Sequence, residues 1–391
     1  MTYGFSKKVE HFNTGVFTAL TEKKNKLEAE GKKLFNLFVG TPDFKPSQSV
    51  MDAVCKAASI PENYKYSLQD LPELLLAVVD YYKERYGIDI CPENITSMNG
   101  SQEGMCHIGM TLCSPGDTVL LPDPGYPAFE AGAFFGDANI VYYPLVKEND
   151  FLIKIEDIDK QILKDTKYIV VSYPSNPVGA AAPKEMYEKL IEYAKRYNFI
   201  IINDNAYSDI IFDGREGFSF LSLDGAQDVG IEFFSLSKSF NVTGARVSFA
   251  IGNKSIIDAF KVIRSQYDFG MFLPVQYGAI AALKSGRDYV KNQCLMYQKR
   301  RDALCGGLRS IGWNVPDSQG TMFVWAPIPP NYSTSAEFCD ALIEKAGVLC
   351  TPGSSFGPHG EGYVRFALVL PEDELKKAVE AIEKSGVLTN K

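Results

Sequence analysis

Between about residue 95 and residue 252, short apolar β-rich runs alternate with stretches of helical period, and this alternation confines the chain to an α/β fold. The runs fall at 117–121, 140–143, 168–172, 199–203, 231–235 and 247–251. Several are apolar nearly throughout, as strands are when helices cover both faces of their sheet. Between two of them, Pro183 suits a first helical turn, and Met186, Leu190, Ile191, Ala194 and Tyr197 fall on one helical face. Strand, helix and strand in this order predict a mostly parallel central sheet.

The last hundred residues read differently. Helical patterns at 288–309, 335–346 and 372–385 enclose short strands at 322–326 and 363–367, an α+β arrangement. A helical run at 16–30 sits in the first forty residues. A chain of 391 residues exceeds the size at which one core keeps growing. Two domains are therefore expected: a large one at 46–284, and a smaller one made of 1–45 with 285–391.

Charge and composition narrow the function classes. The net charge is −8, with no Lys/Arg run longer than the three residues Lys299-Arg300-Arg301, which argues against nucleic acid as a partner. No stretch approaches the ~20 apolar residues of a membrane helix, and the first residues carry no apolar signal core. The eight cysteines contain no C-x-x-C pair and the three histidines are scattered, so reduced thiols, no metal site and a cytoplasmic location are expected.

Ligands of parallel α/β sheets bind beyond the carboxyl ends of the strands, so polar residues just after apolar runs are the candidates. They are Ser101 and Gln102, Asp123 to Tyr126, Ser175 and Asn176, Asp204 with Tyr207, and Ser235 to Lys238. Lys238 closes the run Ile-Glu-Phe-Phe-Ser-Leu-Ser-Lys, so its stem is expected to leave a strand. A lysine amine is a nucleophile only when neutral, which desolvation beside other cations favours. Arg246, eight positions on, has the fork that binds phosphate through two hydrogen bonds. Asp204 follows four apolar residues, and a buried carboxylate there needs a cation or several donors. Ser101 and Gln102 precede an apolar run and suit an anion site at a helix N-terminus. Each feature alone also has a plainer reading: a surface lysine or arginine, a helix cap at Asp204, turn chemistry around Asn176 and Tyr126.

In combination, these residues resemble the class I/II aminotransferases, the aspartate-aminotransferase superfamily of pyridoxal-phosphate fold type I. The resemblance runs from about Asn36 to Ala367. It rests on Ser-Leu-Ser-Lys-Ser-Phe-Asn-Val-Thr-Gly-Ala-Arg at 235–246, Asn-Leu-Phe-Val-Gly-Thr-Pro-Asp-Phe at 36–44, Pro-Asp-Pro-Gly-Tyr-Pro at 122–127 and Asp-Asn-Ala-Tyr at 204–207. Within the superfamily the chain looks most similar to the branch of LL-diaminopimelate and alanine-type aminotransferases.

The resemblance implies a pyridoxal 5′-phosphate enzyme that moves amino groups between amino acids and 2-oxo acids, with Lys238 holding the cofactor as a Schiff base. Asp204 would keep the pyridine nitrogen protonated, Asn176 and Tyr207 would bond the phenolic oxygen, and Tyr126 would stack on the ring. Ser101, Gln102, Ser235, Ser237 and Arg246 would hold the phosphate. Arg365 would clamp the substrate carboxylate, and Gly40 would let backbone approach the substrate. Tyr66 would reach the partner's phosphate in a homodimer with shared active sites. Two departures stand out: Ala245 replaces a residue that is often large, and Tyr-Ser-Leu-Gln-Asp-Leu at 66–71 lacks the usual Gly before Leu71, which lets Tyr64 compete for the role of Tyr66. A C–S β-lyase or decarboxylase of the same fold shares the cofactor chemistry. A DNA-binding regulator built on this fold would carry an N-terminal module, for which residues before 36 leave no room.

Overall fold

A computed structural model describes residues 3–12 and 16–389. Seven strands form the central sheet, in the spatial order Ile95–Met98, Ser248–Gly252, Gly230–Ser235, Ile200–Asn205, Thr166–Val171, Thr118–Asp123 and Asn139–Pro144. Ser248–Gly252 runs antiparallel to both of its neighbours, and the remaining pairs are parallel. The architecture is thus the mostly parallel α/β sheet that the sequence predicts. All six expected strands are present with ends shifted by one or two residues. Ile95–Met98 was not among them: Ile-Thr-Ser-Met carries too few apolar residues to stand out.

The apolar runs have the predicted cause. Ile201, Phe234 and Phe249 join a core on one face with Leu74, Tyr82 and Leu190. Their chain neighbours Ile202, Phe233 and Ala250 join the core on the other face with Met105, Ile108 and Phe260. Period-two strands buried on both sides must be apolar at every step. The helix Lys184–Tyr197 begins just after Pro183 and ends on Asn198 in the left-handed conformation. Five further helices of eight or more residues, Gln48–Ala58, Pro72–Tyr86, Ala128–Phe135, Lys254–Arg264 and Leu273–Lys284, lie outside the helical stretches expected from the sequence. Pro72 at a helix start and Gly87 at φ 69° were available as punctuation for the second.

A third core belongs to the chain ends. Phe35 and Leu37 pack there with Phe323, Val324, Phe366, Leu375 and Ile382, and Tyr207, Ile210 and Phe212 reach into it from the sheet side. Its sheet is antiparallel, in the order Thr351–Pro352, Tyr363–Ala367, Phe323–Pro327. Phe35–Asn36 pairs in parallel with Val348–Leu349, stitching the early segment to the late one. The helix expected over 335–346 is α-helical only to Ala341 and continues as a π-turn, Leu342–Ala346, to Gly347.

Candidate active site

The carboxyl ends of the central strands and the edge of the chain-end core enclose a cavity of about 410 Å³. Of the thirteen residues expected at the site, twelve line it: Gly40, Ser101, Gln102, Tyr126, Asn176, Asp204, Tyr207, Ser235, Ser237, Lys238, Arg246 and Arg365. The thirteenth, Tyr66, expected to reach the partner's phosphate rather than this one, does not line it.

Lys238 differs in one respect from expectation. Its strand ends at Ser235, and the lysine sits in a single helical turn, Leu236–Ser239, capped where Ser235 Oγ accepts from Ser237 N at 3.2 Å. Polar Ser235 competes for backbone N–H groups and stops the strand. Lys238 Nζ donates to the carbonyl of Gly40 at 2.7 Å. Burial, with Arg365 and Arg246 nearby, lowers its amine to about 8. Gly40 is confined as well: a Cβ there would lie 2.5 Å from Phe323 Cζ.

Asp204 lies within the strand Ile200–Asn205, nearly fully buried, and its Oδ1 has no hydrogen-bond partner among the described residues. Burial, and then the charge of Glu232 on the adjacent strand, push its carboxyl up to about 7. Glu232 is wholly buried and satisfied by five donors: Tyr82, Asn205 and Ser219 on one oxygen, Asn203 and the Phe220 amide on the other. Burial still raises it, but these bonds pull against that. Two buried carboxylates therefore lie on neighbouring strands, one satisfied and one open.

Opposite Asp204, the helix Ser101–Leu112 opens at Gly100, whose φ is 95°. A Cβ on Gly100 would sit 2.0 Å from Arg246 Nη2, so the guanidinium rests directly on this backbone. Arg246, itself at φ 55°, donates through Nη1 to Thr243 O at 2.9 Å. Ser101 Oγ donates to Ser248 Oγ at 3.1 Å. Helix N-terminus, guanidinium and the hydroxyls of Ser101, Ser235 and Ser237 converge on one end of the cavity, an arrangement suited to an anion.

At the other end, Arg365 Nη1 donates to Asn176 Oδ1 at 2.8 Å and Nη2 to Phe38 O at 3.0 Å. Its guanidinium lies 4.1 Å from the ring centre of Phe323 and 4.6 Å from that of Phe356. Burial lowers Arg365 to about 10 and raises the hydroxyls of Tyr126 and Tyr207. Tyr126 donates to Gln102 Oε1 at 3.2 Å. Tyr66 points elsewhere: it is 79% exposed with its ring 5.1 Å from Phe269, while Tyr64 donates to Ala58 O at 2.8 Å.

Sequence reading missed Val39, Thr41, Ala206, Thr243 and Phe323 among the lining residues, and Phe356 behind them. Phe323 lay in an expected strand, but its face could not be told without its partners. No local signal marks Phe356.

Known proteins match this architecture. The family of class I and II aminotransferases matches residues 32–382. An LL-diaminopimelate aminotransferase from Dehalococcoides mccartyi is 38% identical, covering 96% of this chain and 97% of that protein. The substrate-bound BacF structure from Bacillus subtilis superposes with a TM-score of 0.94 at 33% identity, covering 98% of each chain. A probable N-succinyldiaminopimelate aminotransferase from Thermus thermophilus gives a TM-score of 0.90 at 30% identity, covering 95% of this chain and all (100%) of that one.

Proposed function

The chain belongs to the class I and II aminotransferase family and is an aminotransferase, and from that premise we propose that its cavity binds pyridoxal 5′-phosphate with Lys238 as the covalent anchor. The observation that carries this reading is the pairing of a desolvated amine at Lys238 with an open buried carboxylate at Asp204 across one cavity. A buried carboxylate without donors is costly, and a protonated ring nitrogen satisfies it. The anion cradle at Gly100, Ser101 and Arg246 fits the phosphate, and the Gly100 clash leaves no room for a side chain between guanidinium and backbone.

When bound, the cofactor supplies an aldehyde for an amine and a ring that takes up electron density from the substrate Cα. The chain's residues do the rest. Lys238 Nζ, about half neutral near pH 8, is the base that takes the Cα proton. Asp204 would hold a proton on the ring nitrogen. Asn176 Oδ1 is engaged by Arg365, which would leave Nδ2 to donate to the phenolic oxygen, together with the Tyr207 hydroxyl. Tyr126, which bonds Gln102, would pack on the ring. Arg365 binds the substrate carboxylate, with Gly40 leaving space for its approach.

The substrates are amino and 2-oxo acids, and the relatives' names put LL-diaminopimelate first among donors to test. Purified chain loaded with pyridoxal phosphate is expected to convert an amino donor to its oxo acid, and then to aminate 2-oxoglutarate or pyruvate. Release of ammonia with pyruvate would identify a lyase instead, and release of carbon dioxide a decarboxylase.

The same reading includes a homodimer. Tyr64, Tyr66, Leu68, Phe269 and Phe272 are 45–79% exposed and form an apolar surface around the loop that carries Tyr66. Apolar surface of this kind marks an association site. Sedimentation showing a monomer at micromolar concentration would remove Tyr66 from the site. The division into 46–284 and 1–45 with 285–391 is proposed on the separation of the chain-end core from the two sheet cores. A cytoplasmic location is proposed on eight unbridged cysteines, including Cys339 and Cys350 with sulfurs 3.2 Å apart. Among the described residues, no helix is long and apolar enough to cross a membrane.

A further inference from the structure

We propose that Asp123 and His359 form a latch that positions Phe356 against Arg365, and so sets how tightly the substrate carboxylate is held. The inference rests on the reading of Arg365 given above. Neither latch residue lines the cavity, so both are positioning residues.

Asp123 ends the strand Thr118–Asp123, three residues before Tyr126. Its side chain is only 4% exposed, and a carboxylate so placed needs donors. Both donors come from one half-exposed residue of the chain-end segment: His359 gives its backbone N–H to Oδ1 at 3.1 Å and its ring Nδ1 to Oδ2 at 2.7 Å. A neutral imidazole with its proton on Nδ1 suffices for this.

Two further contacts fasten the same segments. Gly125 N donates to Phe356 O at 2.8 Å. Gly357, at φ 126°, lets the backbone pass so close that a Cβ would sit 2.1 Å from Asp123 Oδ1. Residues 353–360 are thus pinned onto the turn that presents Tyr126. The segment is held to its own core by, among others, the bond from Ser335 Oγ to Ser354 Oγ at 3.1 Å, on the far side of Phe356.

The consequence lies on the pinned residue itself. The ring of Phe356 flanks the Arg365 guanidinium at 4.6 Å and meets Trp325 at 6.0 Å. Phe323 flanks it at 4.1 Å. A guanidinium held between two rings has little freedom before substrate arrives, and preorganisation of this kind raises affinity. Loosening the latch frees one ring.

The test compares His359→Ala, His359→Asn and Gly357→Ala with the wild type, all loaded with pyridoxal phosphate. Three quantities are measured: steady-state KM and kcat, the Kd of an α-methyl amino acid that has no Cα proton to lose, and hydrogen exchange at 123–127 and 353–360. His359→Ala is expected to raise KM and Kd about five- to tenfold, the loss of one hydrogen bond to a buried charge, with kcat within about twofold. Asn offers Nδ2 where histidine offers Nδ1, so His359→Asn should return both values to within about twofold of wild type. Gly357→Ala should behave like His359→Ala through its Cβ. Exchange should quicken in both latch-breaking variants and recover in His359→Asn.

Unchanged Kd with quickened exchange would show that the latch docks the segment but positions nothing, and would overturn the inference. So would a fall in kcat matching the rise in KM, which is what general loosening produces. Wild-type protein that binds no amino-acid analogue would instead fail the reading of Arg365, while exchange still reports whether the latch exists.

Discussion

Arg365 on the strand Tyr363–Ala367 donates to the side chain of Asn176, which follows the strand Thr166–Val171, at 2.8 Å. The bond joins the chain-end core to the central sheet across the cavity. Arg365 is 3% exposed; among the described residues its Nε has no hydrogen-bond partner, and its hydrogen bonds go to an amide oxygen and a carbonyl rather than a carboxylate. A buried cation without an anion is unfavourable, and the substrate carboxylate proposed for this site would complete it.

Arg365→Ala is therefore expected to raise KM for every amino-acid and oxo-acid substrate by about 10²-fold, the worth of a bidentate charged contact, with a much smaller fall in kcat. Arg365→Lys should recover little, because an ammonium reproduces neither the fork nor the contact with Phe323 and Phe356. Steady-state kinetics over several donors checks this, and a KM that moves for one donor alone would place the residue in a side-chain pocket.

Lys238 should be the sole site of cofactor attachment. Borohydride treatment of loaded protein followed by peptide mapping is expected to label it, and Lys238→Ala should carry no label.

The pH dependence of cofactor capture follows from the same amine. Its value of about 8 lies below the ordinary 10.5, so at pH 7 roughly a tenth is neutral and at pH 9 nearly all is. The rate at which cofactor-free protein captures pyridoxal phosphate should rise as pH passes about 8 and level off above it. Stopped-flow absorbance between pH 6 and 10 tests the sign; a rate that falls over this range contradicts it.

Asp204→Ala should lower turnover by about 10²- to 10³-fold, as removal of one partner of a buried charged pair does, while leaving most cofactor bound through Lys238 and the phosphate cradle. Comparing kcat with cofactor occupancy by absorbance separates the two effects. Equal losses would assign Asp204 to binding.

Gly100→Ala places a methyl group against Arg246 Nη2 in a backbone conformation that disfavours it. Cofactor affinity is expected to fall at least about tenfold, with kcat at saturating cofactor much less affected. Titration of cofactor-free protein measures the change.

Much of this protein was legible in its amino-acid order because the relevant physics is local. Strands covered on both faces must be apolar at every position, so the central sheet announced itself. Polar residues at strand ends follow from the same geometry, and twelve of the thirteen expected site residues meet in one cavity. The helix Leu273–Lys284 is hard to read because it is mostly apolar and packs on Gln48–Ala58, so it lacks the one-sided pattern of Lys184–Tyr197; Gln48–Ala58 itself carries a pattern nearly as one-sided as that of Lys184–Tyr197.

By itself, the sequence determined the α/β class, placed polar candidates at the strand ends and singled out Lys238, since each depends on residue type and short-range spacing. Tertiary structure alone decided that Asp204 stands open while Glu232, on the next strand, is satisfied, and that two phenylalanines from distant segments enclose Arg365. Burial and charge proximity are sums over neighbours far apart in the chain, and no window of sequence contains them.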